Sequence, residues 1–384
     1  MGEVNVPFYR HSLTRDNSKY VEEVLKTPFL TSGPIGKEVE SQLCTYFNVA
    51  HAKLVNSWTN GAVATLLAMD IGPGDEVIVP AMTFIATANV VELVGAKPVF
   101  IDCDPDTLLI TPELIKVAIT EKTKAVIPVH MYGQMCDIKA IKEIIPSGQK
   151  IAIIEDCAHS FEAKFNGERP GKYSDAAIFS FYATKNVTCG EGGAIITNDS
   201  NLFERITQSI LHGMSAGAAD RFKAGQYKHW GMEHLGTKAN LPDLLACFLP
   251  EQIRTIDEKL VMREKIASKY EIALGKSKIR TPKLNKGVLH SRHLYPIYVG
   301  VGCRDASLLK LGEANIGSTV NYRAVPTMGY YAEKYGFNGQ EYPESRLWGS
   351  GTLTIPLFPG ITNEEQDYVI DVLINKIDPM IGEN

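Results

Sequence analysis

The sequence predicts an α/β fold built on a largely parallel sheet, and two observations predict it. From about residue 50 to residue 215, short β-rich runs alternate with stretches of helical period, the pattern of a layered α/β domain. The β-runs are apolar throughout instead of alternating with polar residues, which implies a sheet covered on both faces.

The strands read in order as EVIVP (76–80), KPVFID (97–102), KAVIPVH (124–130), KIAIIED (150–156), AAIFSF (176–181) and GAIIT (193–197). Between several of them lie helices at AVATLLAMD (62–70), FIATANVVELVG (84–95), TPELIKVAIT (111–120) and DIKAIKEII (137–145). Thr111 is placed as an N-cap, with Pro112 at the first helical position, where the missing N–H has no partner to lose. A helix LFERITQSILHG (202–213) follows. After it comes a polar, Gly/Ala-rich stretch from Met214 to Gly236, too long for a simple connector and expected to be a functional or subunit-contact loop. A long helix from about Pro250 to Leu274 carries the alternating charges of an exposed face. Strands LYPIYVG (294–300) and STVNYRA (318–324) and helices SLLKLGEAN (307–315) and NEEQDYVIDVLINKI (363–377) complete a smaller α+β unit. The expected division is a large α/β domain over 1–250 and a smaller α+β domain over 251–384.

Composition narrows the function classes. The 384 residues are 45% hydrophobic and 22% charged with a formal net charge of −5, which excludes intrinsic disorder and leaves room for two or three domains. No Lys/Arg block offers an electrostatic footprint for nucleic acid or an anionic membrane. No apolar run approaches the roughly 20 residues that span a bilayer, and MGEVNVPFYRHS lacks the pattern of a signal peptide. The seven cysteines (Cys44, Cys103, Cys136, Cys157, Cys189, Cys247, Cys303) are odd in number and contain no C-x-x-C pair. They read as small, reduced core residues. The nine histidines show no metal-ligand spacing. A soluble cytoplasmic protein without a metal site is the expectation.

Open α/β sheets bind ligands beyond the carboxyl ends of their strands. There KIAIIEDCAHS ends a strand at Asp156, with His159 three residues on, and AAIFSF closes with Ser180, followed by Lys185. Alone, Lys185 reads as a loop lysine and Asp156 as a helix cap. Together they match what pyridoxal phosphate requires: a lysine amine to condense with its carbonyl, and an acid against its pyridine nitrogen. A charge-assisted hydrogen bond from that nitrogen to a buried carboxylate keeps the ring protonated and electron-withdrawing. VNSWTNGAVATLLAM places Ser57, Thr59, Asn60 and Gly61 just before a helix, where orphan N–H groups and the helix dipole favour a phosphate. No G-x-G-x-x-G occurs, against a dinucleotide site, and GEGG (190–193) reads as a turn between strands.

These residues, with GPGDEVIVPAMTFIATAN (72–89), AKPVFIDCDPDT (96–107), KAVIPVHMYGQMCDI (124–138), IIEDCAHSFEAKFNGERPG (153–171) and FSFYATKNVTCGEGGAIITND (179–199), resemble the DegT/DnrJ/StrS family of nucleotide-sugar aminotransferases. The likeness runs from TPFLTSGP (27–34) to LTIPLFPGIT (353–362). It implies the pyridoxal-phosphate fold type I, like aspartate aminotransferase, and an obligate homodimer with both active sites at the interface. By the same resemblance, Lys185 is the Schiff-base lysine, Asp156 the partner of the pyridine nitrogen, and His159 the neighbour of the phenolic oxygen. Phe84 is the aromatic on the ring face, while Thr59, Asn60 and Ser180 hold the phosphate. Asn240 reaches the phosphate of the neighbouring subunit's cofactor. Asn321, Tyr322 and Arg323 are placed at the substrate, Arg323 either against the donor carboxylate or the nucleotide diphosphate or as an ordinary surface arginine.

The resemblance further implies L-glutamate as amino donor and a nucleotide-linked keto-sugar as acceptor. KNVTCGEGG (185–193) is similar to the branch that aminates carbon four, including enzymes making UDP-4-amino-4-deoxy-L-arabinose. A UDP- or dTDP-linked 4-keto sugar, for lipopolysaccharide or another surface polysaccharide, is the expected substrate. Trp58 stands where relatives often carry a small residue and Asn60 where many have alanine. Asn321 and Pro326 stand where the family often shows histidine, and these departures bear on the choice of sugar. Two alternatives remain: a sugar dehydratase on the same cofactor, whose lysine is replaced by histidine, and a non-catalytic protein on this scaffold. Lys185 speaks against the first, and retention of Lys185, Asp156, His159 and the phosphate elements together against the second.

Overall fold

The computed structural model describes residues 4–215 and 229–382. Its strands are β1 (His51–Val55), β2 (Glu76–Pro80), β3 (Lys97–Ile101), β4 (Thr123–Val126), β5 (Ala152–Asp156), β6 (Lys164–Phe165), β7 (Ala176–Ser180), β8 (Gly193–Thr197), β9 (Val288–Leu289), β10 (Tyr295–Tyr298) and β11 (Thr352–Ile355). Seven of them form one sheet in the order β1-β8-β7-β5-β4-β2-β3. Only β8 runs antiparallel to its neighbours there; β7, β5, β4, β2 and β3 pair in parallel.

The helices up to residue 246 are α1 (Ser18–Leu25), α2 (Pro34–Phe47), α3 (Trp58–Ala68), α4 (Ala86–Leu93), α5 (Pro112–Ala118), α6 (Ile138–Glu143), α7 (Ser200–Ser209) and α8 (Asp243–Ala246). Strand side chains alternate between faces, and both faces are covered. Val77, Val79, Ile154, Ile178 and Ile195 join one apolar cluster with α3, α4 and α7. Ala177, Phe179 and Ile196 point the other way, against α2, as do Ile78, Val126 and Ile153, against α5 and α6. This double burial is why the strands read as unbroken apolar runs. Thr111 caps α5 as expected, its side chain accepting from the Leu114 N–H.

A second core lies beyond α9 (Leu249–Leu274). That helix is about 39 Å long at 1.5 Å per residue and serves both cores. Leu249, Ile253 and Ile256 enter the α2 cluster, while Ile266, Ala267, Tyr270 and Leu274 pack with the antiparallel pair β10–β11. Helices α10 (Arg304–Glu313), α11 (Gly329–Tyr335), α12 (Pro343–Gly351) and α13 (Asn363–Val372) complete the chain. Val6, near the amino end, pairs with Ile316 and is buried in this second core.

Two expectations need correction, and one strand was not foreseen. STVNYRA (318–324) is not a strand. It makes isolated bridges only, Thr319 to Thr354 and Ala324 to Met82, because it runs from one core to the other and cannot lie along a single partner. Cys44 and Cys303 are only partly buried, although the other five cysteines are core residues; all seven are free thiols. β1 escapes the apolar-run criterion because Lys53 interrupts it. Within the stretch from Met214 to Gly236, residues 216–228 lie outside the described residues. Its described ends pair with each other, the Ser215 N–H donating to Gly231 O at 3.0 Å. No described helix is long and apolar enough to cross a membrane.

Candidate active site

Three strands deliver their carboxyl ends to one edge of the sheet. β5 ends at Asp156 beside Ile178 of β7, and β7 ends at Ser180. β1 runs parallel to β7, because β8 lies antiparallel between them, and it ends just before Ser57. A cavity of about 510 Å³ opens at this edge, a volume in the range of small-molecule sites. Thr59, Phe84, Asp156, His159, Ser180, Lys185, Asn321 and Tyr322 line it, so residues far apart in sequence converge on one space.

Lys185 sits in the connection between β7 and β8, its backbone N–H donating to Tyr182 O at 2.9 Å. Burial pulls its amine down to about 8, against the opposing pull of the Asp156 carboxylate. At pH 7 about one amine in ten is then neutral, against about one in three thousand at the ordinary lysine value. Asp156 is enclosed. Oδ2 accepts from the Thr87 hydroxyl at 3.0 Å and Oδ1 from the Ala158 N–H at 3.1 Å. Burial raises its carboxyl above the usual range, opposed by those two hydrogen bonds and by Lys185. A cationic partner in the cavity would restore the ionised form.

His159 has a defined tautomer. The Tyr132 N–H donates to Nδ1 at 3.2 Å, so the neutral ring carries its proton on Nε2, which faces the Tyr322 hydroxyl at 3.0 Å. Burial, then Lys185 and His290, hold its pKa well below the ordinary histidine value. The ring is therefore a neutral N–H donor aimed at the cavity wall. The His159 and Tyr322 rings lie nearly parallel, 5.7 Å apart and 3° from coplanar. Phe84 is exposed at the cavity mouth, 5.9 Å from the Tyr322 ring.

The phosphate cradle differs in detail from expectation. The helix begins at Trp58, with Ser57 as its N-cap accepting from the Asn60 N–H at 3.1 Å. Thr59 and Asn60 thus belong to the first turn. Thr59 lines the cavity, but Asn60 does not: its N–H is taken by Ser57 and its side-chain amide donates to Asn56 at 2.9 Å. Trp58 is buried and contributes to the wall. Pro326 is buried in a short turn outside the wall. Asn240 also lies outside it and donates to Ser32 at 2.8 Å and Thr31 at 3.2 Å. Arg323 is exposed and outside the wall. Its neighbours in sequence mark the chain that crosses the cavity, but its own side chain points elsewhere.

Thr87, Tyr132 and His293 escape the sequence reading. Thr87 stands three residues after Phe84, in the first turn of α4, and its N–H donates to Phe84 O at 3.1 Å. His293 Nε2 lies 3.4 Å from Lys185 Nζ, across 108 positions, with no local mark. Beneath the site, Glu155 of β5 meets His130 at 2.7 Å and accepts from the Gly171 N–H at 2.7 Å, pinning the strand that carries Asp156.

A buried carboxylate and a lysine amine sharing one cavity with a capped helix N-terminus are the groups that pyridoxal-phosphate chemistry requires. The model for the DegT/DnrJ/EryC1/StrS aminotransferase family matches residues 11–374. The chain belongs to that family. Among solved structures it is similar to a protein assigned as a sugar aminotransferase from Streptococcus pneumoniae, in its PMP form. The two share 29% identity over 98% of this chain and 100% of that one, with a TM-score of 0.91. It is also similar to DesV from S. venezuelae, solved in complex with a ketimine intermediate (28% identity, 96% and 97% covered, TM-score 0.86). The aminotransferase from Psychrobacter cryohalolentis follows at 25% identity, with 97% and 100% covered and a TM-score of 0.88. Pyridoxal phosphate is the cofactor of this family, and the residues of the cavity fit it.

Proposed function

We propose that this enzyme transfers an amino group from L-glutamate to a nucleotide-linked keto-sugar, with Lys185, Asp156 and His159 as its catalytic residues. The observation that carries the reading is the meeting of the Lys185 amine and the Asp156 carboxylate on one cavity at the sheet edge. Pyridoxal phosphate, when bound, supplies a protonated ring that withdraws electrons from the carbon losing its proton. Asp156 holds the ring nitrogen's proton, with Thr87 and Ala158 fixing the carboxylate's orientation. His159 offers its Nε2–H to the phenolic oxygen, and Phe84 covers the ring. Lys185 Nζ, neutral often enough near pH 7 to act as a base, moves the proton that leaves the donor's α-carbon. Ser57, Thr59 and Ser180, at the positive end of α3, hold the phosphate.

The acceptor we favour is a UDP- or dTDP-linked 4-keto sugar, on the likeness of KNVTCGEGG to the branch acting at carbon four. Its product would serve surface polysaccharide or lipopolysaccharide synthesis in the cytoplasm. Asn240, outside its own cavity, fits a homodimer in which it turns toward the neighbouring subunit's cofactor. In this reading a cofactor domain gives way near residue 250 to a smaller domain, with α9 shared between their cores. The test supplies purified protein with pyridoxal phosphate, L-glutamate and a set of UDP- and dTDP-linked 4-keto and 3-keto sugars. Release of 2-oxoglutarate with an aminated sugar nucleotide of the expected mass supports the proposal. Failure to release it with every member of the set rejects the substrate class. Borohydride reduction with peptide mapping should label Lys185, and a label elsewhere rejects its assigned role.

A further inference from the structure

The geometry assigns His293 as a positioning residue for the Lys185 amine. Asn186 Nδ2 donates to both carboxylate oxygens of Glu162, at 3.2 and 3.0 Å, and to Ser291 O at 3.1 Å. All three are acceptors only, so the amide is oriented with no freedom to flip. Its Oδ1 then faces His293 Nδ1 at 3.2 Å and demands a proton there. The neutral ring must present its lone pair on Nε2, and Nε2 lies 3.4 Å from Lys185 Nζ. Glu162 is itself held by buried Arg263, whose Nε also donates to Ser291 O at 3.3 Å. A chain of four side chains thus fixes one acceptor beside the reactive nitrogen.

The protonation state agrees with this arrangement. Burial, then Lys185, His159, Arg263 and His290, keep the His293 pKa well below the ordinary value, so the ring does not compete with the amine for a proton. The His293 and His159 rings lie 4.8 Å apart, and Asp156 bears on the same amine. His293 therefore acts as a fixed acceptor: it stabilises the ammonium form of Lys185 and holds the amine's direction when the nitrogen is not bonded to the cofactor.

This inference rests on Lys185 being the reactive lysine, which the borohydride map tests on its own. A positive map with the results below reversed rejects the His293 role alone. The full chain, freed of cofactor, is labelled with acetic anhydride across a pH series, and the Lys185 peptide is quantified. His293→Leu removes one hydrogen bond to a charged donor, worth about one pH unit, so the labelling midpoint should fall by about that much. His293→Gln, whose amide can both donate to Asn186 and accept from Lys185, should return it to the wild-type position. Loosened packing alone would admit water and move the midpoint upward, so an unchanged or raised midpoint in His293→Leu overturns the proposal. Should that variant fail to fold, 15N-histidine spectra of the wild-type protein decide. A protonated Nδ1 and bare Nε2 on His293, assigned by loss of signal in His293→Gln, support the role; the opposite tautomer or an imidazolium at pH 7 overturns it.

Discussion

Gly193 opens β8 where it pairs with both Val55 and Ser180, and a single methyl there tests how the cradle is built. A Cβ at Gly193 would lie 2.6 Å from Phe179 O, 3.0 Å from the Ser57 carbonyl carbon and 3.0 Å from the Trp58 nitrogen. Ordinary contact begins near 3.4 Å, so backbone must move by about 0.4 to 0.8 Å. None of the three atoms belongs to a flexible side chain. Gly193→Ala should therefore destabilise the protein by roughly 1–3 kcal/mol, the usual cost of overpacking. Phe179 O belongs to β7, and the other two atoms form the first peptide of α3, at the end of the helix proposed to face the phosphate. Misplacement of 1 Å costs about a hundredfold in positioned chemistry, so a shift of about 0.4 Å at that peptide should lower cofactor affinity by up to about tenfold. Gly190→Ala is the control. Gly190 has φ +87° with open space around it, so alanine there costs roughly 1–2 kcal/mol of backbone strain without touching the cradle. Thermal unfolding and fluorescence titration with pyridoxal phosphate measure both quantities. The reasoning predicts lowered stability in both variants and weakened binding in Gly193→Ala only. Wild-type affinity in Gly193→Ala would refute the placement of the cradle.

Three further outcomes are expected. Lys185→Ala should abolish turnover while the protein still retains cofactor–amine adduct through its phosphate and ring contacts, as absorbance after gel filtration would show. Capture of pyridoxal phosphate by cofactor-free protein should quicken about tenfold per pH unit up to about pH 8 and then level off, because the neutral amine is the nucleophile and its pKa is lowered to about 8; a rate still climbing at pH 10 would contradict the lowered value. Asp156→Asn should cut steady-state turnover a hundredfold or more, as an unprotonated ring is a poor electron sink. It should also move the capture midpoint below that of wild type, since Asp156 raises the Lys185 pKa.

What could be read in the sequence was local. Asp156 closes one apolar strand and Lys185 lies in the connection that follows another, so the rule that ligands meet the carboxyl ends of such strands was enough to pair them. Thr59 was visible for a different reason, as part of a Ser/Thr/Asn/Gly cluster just before a helix. The partners that set protonation come from other segments. Thr87 reaches Asp156 across 69 positions, His293 reaches Lys185 across 108, and Tyr322 reaches His159 across 163. No periodicity or spacing encodes such contacts: Thr87 arrives from α4, and His293 and Tyr322 arrive from segments beyond α9. Arg323 and Asn60 show the converse failure. Each sits in the right stretch of sequence, but the Arg323 side chain is exposed and outside the cavity wall, and the Asn60 N–H is consumed by its own helix cap. The reactive groups could thus be named from the one-dimensional pattern, but not their pKa values. The lowered amine and the raised carboxyl are products of burial, and burial at this edge is completed by residues 132, 293 and 322, which approach from outside the strands that carry the chemistry.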